Sequence, residues 1–149
     1  GPGPIHLGIE NERKLGATGR AGFNWEVRVV NDNGEDVAQG EVGEVIIKGN
    51  AVMKEYYKNP EKTAEALKGG WLHTGDMARM DSDGFIYLVD RKKDIIISGG
   101  ENIFPVEIEA VLQGHPKVHD VAAIGVPDER LGEIVAAIID TKPDMTLTD

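Results

Sequence analysis

Alternating apolar and polar residues predict two short β-strands in the first third of the chain. Residues 26–30 are rich in β-branched side chains and end at the turn sequence 31–34. Residues 43–48 form a second predicted strand, which a glycine ends. Residues 1–22 are rich in glycine and charge without any period, and we expect them to form a loop. The chain is therefore predicted to begin as a β-meander.

The middle of the chain predicts one short helix and two more strands. Asn59 followed by Pro60 is typical of a helix N-cap with proline at the first helical position. The helix is predicted to continue over 61–68, where Gly69 and Gly70 end it. Strands are expected at 77–80 and 85–89, joined by an acidic turn.

The charged segment 90–93 lies between two apolar strands and predicts a division into domains 1–90 and 91–149. A strand at 95–97 precedes a glycine loop, and Pro105 opens a helix that places Phe104, Ile108, Val111 and Leu112 on one face. Strands follow at 118–126 and 133–140. The order β, α, β, β indicates a small α+β layer.

Composition excludes several classes of function. Hydrophobic residues make up 40% and charged residues 28% of the chain, as in a soluble globular protein. The formal net charge of −10 argues against nucleic-acid binding, because phosphate recognition relies on clustered Lys and Arg. Cysteine is absent, and no apolar run approaches the ~20 residues of a membrane helix. We therefore expect a cytoplasmic protein without disulfides or a membrane span.

Two segments contain side chains suited to holding a nucleotide. The Asp76 carboxylate follows a glycine turn and offers two acceptor oxygens, which suits the paired hydroxyls of a ribose. Taken alone, the pattern favours an aspartate that caps the next strand. The planar donors of Arg91 suit a hydroxyl or a phosphate oxygen, although pairing with a neighbouring aspartate is the commoner fate of such an arginine.

The remaining motifs predict structure more than chemistry. Ser98-Gly99-Gly100 lacks the lysine and the length of a phosphate-binding loop and alone indicates a turn. Glu107 and Glu109 are two residues apart on a helix, so they point to different faces and are assigned to structure. Neither the acidic turns nor the four histidines have the spacing of a metal site.

Taken in order, these segments resemble the AMP-forming acyl-CoA synthetases of the adenylate-forming enzyme superfamily. The resemblance is carried by Trp71-Leu72-His73-Thr74-Gly75-Asp76, Asp90-Arg91-Lys92-Lys93-Asp94, Ser98-Gly99-Gly100-Glu101-Asn102 and Pro105-Val106-Glu107-Ile108-Glu109. It implies an α+β protein in which the β-rich, barrel-like end of the large adenylation domain is followed by the start of a small α+β lid domain.

The resemblance also implies roles for particular residues. Asp76 and Arg91 would hold the ribose of ATP, and Lys93 would be the hinge of the lid. Ser98, Gly99 and Gly100 would form the loop along which the CoA pantetheine passes. The Mg²⁺ ion of the family is bound outside this chain, so no metal ligand is assigned.

The implied reaction converts a carboxylic acid, with fatty acids favoured, to acyl-AMP and then to acyl-CoA, using ATP and CoA. The family's phosphate loop and its C-terminal catalytic lysine are not among these 149 residues. No catalytic residue is therefore assigned, and the chain alone is expected to be inactive. A shortened lid would expose apolar surface, which favours a homo-oligomer.

Two alternatives remain open at this stage. One is an adenylating enzyme that passes its acyl group to another acceptor. The other is a non-catalytic module that binds a nucleotide or a partner. Dependence on CoA would separate the first alternative from a CoA ligase.

Overall fold

A computed structural model describes residues 10–146, and the chain divides into two compact units, Gly1–Val89 and Asp90–Asp149. The elements of the first unit are α1 (Glu10–Arg13), β1 (Trp25–Val30), β2 (Val42–Gly49), α2 (Pro60–Ala66), β3 (Leu67–Lys68), β4 (Trp71–Met80) and β5 (Ile86–Arg91), which extends just past its end. The second unit contains a 3₁₀ turn (Lys92–Asp94), β6 (Ile96–Ser98), β7 (Glu101–Ile103), α3 (Pro105–Gln113), β8 (Val118–Asp128) and β9 (Gly132–Thr141). The predicted α+β class is confirmed.

The first unit is built on one antiparallel sheet with strand order β1-β2-β4-β3, in which β5 also pairs with β4. The two predicted strands of the opening meander are confirmed and pair with Trp25 opposite Gly49. Side chains of β2, β4 and β5 form a core of Val45, Ile47, Ala78 and Ile86. The predicted loop over 1–22 is wrong for Glu10–Arg13, which is helical, and residues 1–9 lie outside the described part of the chain.

Helix α2 begins as the sequence predicts and ends earlier. The side chain of Asn59 accepts a hydrogen bond from the Lys62 N–H at 2.9 Å, which confirms the N-cap. Leu67 and Lys68, predicted to be helical, instead pair with Leu72 and Trp71. Gly69 and Gly70, which both have positive φ, form the two-residue turn of this hairpin. The chain therefore leaves the helix and continues as a strand from Leu67.

Helix α3 packs on β8, the edge strand of a four-stranded sheet with order β7-β6-β9-β8. Both long strands were predicted, and in the structure their pairing continues to Asp128 opposite Gly132. The Glu109 carboxylate accepts the Ala123 N–H at 2.9 Å. This contact between helix and strand agrees with the prediction that Glu109 has a structural role. On the predicted apolar face of α3, Phe104, Ile108 and Leu112 are partly buried, whereas Val111 is 77% exposed.

The strands on either side of the glycine loop, β6 and β7, differ from the prediction. The strand expected at 95–97 is displaced to Ile96–Ser98, because a 3₁₀ turn occupies Lys92–Asp94. Strand β7 was not predicted. It is only three residues long and begins with two polar residues, so it has no hydrophobic alternation to indicate it.

An ion cluster fastens the segment before β1 to the β4–β5 turn. Lys14 Nζ lies 2.7 Å from Asp81 Oδ2 and 2.6 Å from Asp83 Oδ2. Asp81 Oδ1 also accepts the N–H groups of Asp83 and Phe85, both at 2.9 Å. Burial acts to raise the pKa of the Asp81 carboxyl, but the hydrogen bonds from Lys14 and these two amides outweigh it and lower that pKa to about 2.

Because the Asp81 pKa is lower in the folded state, the cluster stabilises the fold above the ordinary value near 3.8 and loses this effect as pH falls toward 2. We expect Asp81→Asn, which keeps the turn acceptor, to lower the free energy of unfolding by about 1 kcal/mol at pH 7. The difference from the wild type should shrink as pH falls below 4. Urea unfolding at several pH values measures it.

Asp36→Asn is the matched control, because Asp36 pairs with Arg28 but its side chain is 66% exposed. It should change stability by less than about 0.5 kcal/mol. A constant difference for Asp81→Asn from pH 7 down to pH 2.5 would contradict the assignment.

Candidate functional site

The Thr74-Gly75-Asp76 motif lies on a bulge inside strand β4. Glu44 of β2 pairs with Met77, and Ile46 pairs with His73, so the three motif residues lie opposite Val45 alone. Gly75 has φ of 71°, in the left-handed region that glycine adopts without strain. The prediction that Asp76 follows a glycine turn is therefore wrong in one respect. The strand continues through the motif, and the extra residues form a bulge that changes the direction of its side chains.

The Thr74 side chain holds the two ends of the bulge. Its hydroxyl donates to the Val45 carbonyl oxygen at 2.8 Å and accepts the Asp76 N–H at 3.1 Å. A hydroxyl can donate and accept at once, which a bulge with disrupted ladder bonds requires. The backbone of Asp76 is thereby fixed on the sheet, and its side chain is half-buried.

Among the residues that the structure describes, Glu44 is a charged residue that is buried, and it supports the same bulge. Glu44 is 7% exposed, and its Oε1 accepts the Gly75 N–H at 3.1 Å. Its Oε2 lies 3.2 Å from Nδ1 of His73. A buried carboxylate is destabilising unless its oxygens are hydrogen-bonded. Sequence reasoning missed Glu44; the available signal was a single acidic residue inside the apolar strand β2.

Arg91 lies in the second unit, where its backbone is connected to the start of α3. Asp90 Oδ1 accepts the Arg91 N–H at 2.7 Å, and Asp90 Oδ2 accepts the Val106 N–H at 3.3 Å. The first amides of a helix have no partner within the helix, so Asp90 satisfies one of them. The Arg91 side chain is exposed.

Lys93 occupies the 3₁₀ turn Lys92–Asp94, which directly follows the end of β5. Its Nζ lies 3.9 Å from Asp94 Oδ1, and its side chain is 76% exposed. A single 3₁₀ turn between two strands contains few backbone bonds to break. The hinge role of Lys93 stays a prediction.

The predicted glycine turn is confirmed as the tip of the β6–β7 hairpin. Ser98 pairs with Glu101, and the two residues between them, Gly99 and Gly100, have φ of 59° and 89°. Two successive positive φ values define a type I′ turn, which glycine favours strongly. Both glycines are exposed, so bare backbone is presented at the tip.

Within residues 10–146, no group of three His, Asp or Glu side chains is arranged to hold a metal ion. In the same part of the chain, every helix is too short or too polar to cross a membrane.

The comparisons with known proteins give results that are consistent with one another. The family model described as AMP-binding enzyme matches residues 4–57, and that of the AMP-binding enzyme C-terminal domain matches residues 107–149. A feruloyl-CoA synthase of Amycolatopsis is 50% identical over 126 residues, covering 85% of this chain and 26% of that protein. The long-chain-fatty-acid–CoA ligase FadD13 of Mycobacterium tuberculosis is 48% identical over 139 residues, covering 93% of this chain and 27% of that protein.

Among solved structures, the o-succinylbenzoate CoA synthetase of Bacillus subtilis, in complex with its acyl-adenylate intermediate, is similar with a TM-score of 0.82 and 36% identity. The match covers 93% of this chain and 28% of that one. The chain thus spans about a quarter of the length of the curated relatives it matches.

The contacts of Glu44 predict a large effect of its removal. Glu44→Ala would leave the partly buried Gly75 N–H without this acceptor and should lower the free energy of unfolding by about 1–3 kcal/mol. Glu26→Ala is the control, because Glu26 lies on the neighbouring strand, is 63% exposed and contacts Lys48 at 3.3 Å. The control should lose less than about 0.5 kcal/mol in urea unfolding. Equal losses for the two variants would contradict a bracing role for Glu44.

Proposed function

This chain belongs to the family of AMP-binding enzymes, and we propose that it is the part of an AMP-forming acyl-CoA ligase that contacts the nucleotide ribose and CoA. In the proposed reaction the carboxylate of the acid attacks the α-phosphate of ATP, which gives acyl-AMP and releases pyrophosphate. The CoA thiol then attacks the acyl carbon, loses its proton and displaces AMP. The single observation that carries the proposal is the Asp76 carboxylate on a bulge that Thr74 and Glu44 hold in place.

The proposed role of Asp76 is to accept hydrogen bonds from the ribose hydroxyls of the nucleotide. A carboxylate has two acceptor oxygens, whereas a ribose presents two neighbouring hydroxyl donors. Support comes from the backbone bonds of the bulge, which fix the direction of Asp76 before a ligand arrives. A group held in position in this way loses little freedom on binding. Arg91 is proposed as a second contact to the same ribose.

The proposed role of the Ser98-Gly99-Gly100 turn is to line the path of the CoA pantetheine. The turn contributes backbone and no side chain at its two central positions, so an extended thiol arm could lie directly against it. The same sequence favours CoA over another acceptor, as the resemblance implied. An adenylating enzyme with a different acceptor is the alternative that a CoA-dependence assay would reveal.

We also propose that residues 1–90 close the large domain of the enzyme, that residues 91–149 begin its lid, and that Lys93 is the hinge between them. A hinge needs a short segment that can absorb a large backbone change. Support comes from the 3₁₀ turn at Lys92–Asp94, which lies just after the division of the two compact units between Val89 and Asp90.

The acid is proposed to be a fatty acid, by analogy with one of the relatives. The relatives named above act, by their names, on feruloyl, long-chain fatty and o-succinylbenzoyl groups, which share little besides the carboxylate. ATP would enter as its Mg²⁺ complex, with the metal held by phosphates and by residues outside this chain. We propose a cytoplasmic location for the enzyme, because its proposed substrates include ATP and CoA.

The test of the ribose contact uses the full-length protein that contains this chain. Asp76→Ala should raise the KM for ATP at least about tenfold, because a charge-assisted hydrogen bond contributes roughly 1.5–3 kcal/mol. Asp36→Ala, an exposed carboxylate of the same unit, should leave the KM unchanged. An unchanged KM in Asp76→Ala would remove Asp76 from the nucleotide site.

The hinge proposal predicts that the two half-reactions separate. Lys93→Pro restricts the backbone at the turn, so acyl-AMP formation should persist while transfer to CoA falls at least about tenfold. Pyrophosphate release without CoA measures the first step, and thioester formation from preformed acyl-AMP measures the second. Lys93→Ala, which leaves the backbone free, serves as the control. Equal loss of both steps in Lys93→Pro would contradict the hinge.

A further inference from the structure

We infer that Glu133 is a positioning residue for the Ser98-Gly99-Gly100 turn, and that through the turn it controls acyl transfer to CoA and not adenylate formation. Glu133 lies at the start of β9 and contacts neither glycine of the turn among the contacts described. It acts on the strand that leads into the turn. The functional half of this inference depends on the function proposed above, whereas the structural half can be tested without it.

Strand β6, which leads into the turn, has very little ladder bonding to β9. The two strands share one paired position, Ser98 with Gly132. In the same register the next pair would be Ile97 with Glu133. At that position the Glu133 side chain supplies the acceptor that a backbone carbonyl would supply in a regular ladder. Its Oε2 accepts the Ile97 N–H at 2.8 Å.

The Ile97 amide needs such an acceptor. Ile97 lies opposite Asn102 in the β6–β7 hairpin, one position beyond the Ser98–Glu101 pair that closes the two-residue turn. Bonded and non-bonded pairs alternate in an antiparallel ladder, so the Ile97 N–H points away from β7 and toward β9. A charged acceptor gives a stronger hydrogen bond than a backbone carbonyl. Glu133 therefore continues the sheet for one more position at the base of the turn.

The neighbouring strand leaves space for this carboxylate. A Cβ added to Gly125 of β8 would lie 2.8 Å from Glu133 Oε1 and 2.9 Å from its Cδ. Gly125 has regular strand pairing opposite Val135, so its backbone conformation does not require glycine. Glycine is required there because the Glu133 carboxylate occupies the space of a side chain. Any side chain at 125 would displace the carboxylate, since the end of a glutamate moves more easily than a strand. Gly125 and Glu133 thus form a matched pair.

Another hydrogen bond also attaches the turn to the sheet, and this limits the expected effect. The Gly99 N–H donates to the Leu131 carbonyl oxygen at 2.8 Å. The loop that supplies this carbonyl is held by Asp128, whose Oδ1 accepts the N–H groups of Arg130 and Leu131 at 2.9 and 2.8 Å. Loss of the Glu133 contact should therefore loosen the turn without unfolding the unit.

The experiment uses the full-length protein with the variants Glu133→Ala, Glu133→Gln, Gly125→Ala and the double variant Glu133→Ala/Gly125→Ala. Hydrogen exchange of the peptide spanning 96–100, followed by mass spectrometry, should be about tenfold faster in Glu133→Ala and in Gly125→Ala. Glu133→Gln keeps an acceptor oxygen and should remain close to the wild type. The double variant should exchange no faster than Glu133→Ala, because both changes break the same contact.

The kinetic measurement separates the two half-reactions in the same proteins. Glu133→Ala and Gly125→Ala should lower thioester formation from preformed acyl-AMP about tenfold, with pyrophosphate release unchanged. Unchanged exchange at 96–100 in both alanine variants would overturn the structural half of the inference. Faster exchange with equal loss of both half-reactions, or with no loss of either, would overturn the functional half. A wild-type protein that forms no acyl-AMP would refute the proposed function instead, and the exchange result would still decide whether Glu133 holds the turn.

Discussion

The carboxylate of Glu44 is buried within the first sheet, where a charge without hydrogen-bond partners would be strongly destabilising. The bulge in β4 has the opposite need, because its extra residues remove the Gly75 N–H from the regular ladder. One hydrogen bond between them meets both requirements, with His73 on the second carboxylate oxygen. The direction of Asp76, and with it the proposed ribose contact, depends on this hydrogen bond between Glu44 and Gly75.

The second unit uses carboxylates in the same way where its regular structure is interrupted. Asp90 accepts an amide in the first turn of α3, and Glu133 accepts the Ile97 amide where β6 and β9 stop pairing. Each irregularity of the backbone leaves amides without ladder partners, and these amides need another acceptor. The residues proposed to contact ligands are therefore supported by acidic side chains that need not touch a ligand at all.

The sequence predicted the regular elements well for reasons that are local. Strands β1, β2, β8 and β9 follow runs of β-branched residues, and α2 starts at an asparagine followed by proline. The continuity of β4 was missed because the bulge at Gly75 breaks the two-residue period that identifies a strand. The exposed position of Val111 was missed because periodicity predicts which residues share a helix face and does not specify how much of that face the sheet covers.

The motif residues of the candidate site could be identified from their order and spacing, whereas the residues that hold them could not. Glu44 is 31 residues from Gly75, and Glu133 is 36 residues from Ile97, so only the folded sheet brings each pair together. The most direct measurement is a crystal structure of the full-length protein with AMP bound. The account predicts that both ribose hydroxyls donate to the Asp76 carboxylate, with the bulge unchanged. A nucleotide bound with its ribose away from Asp76 would contradict it.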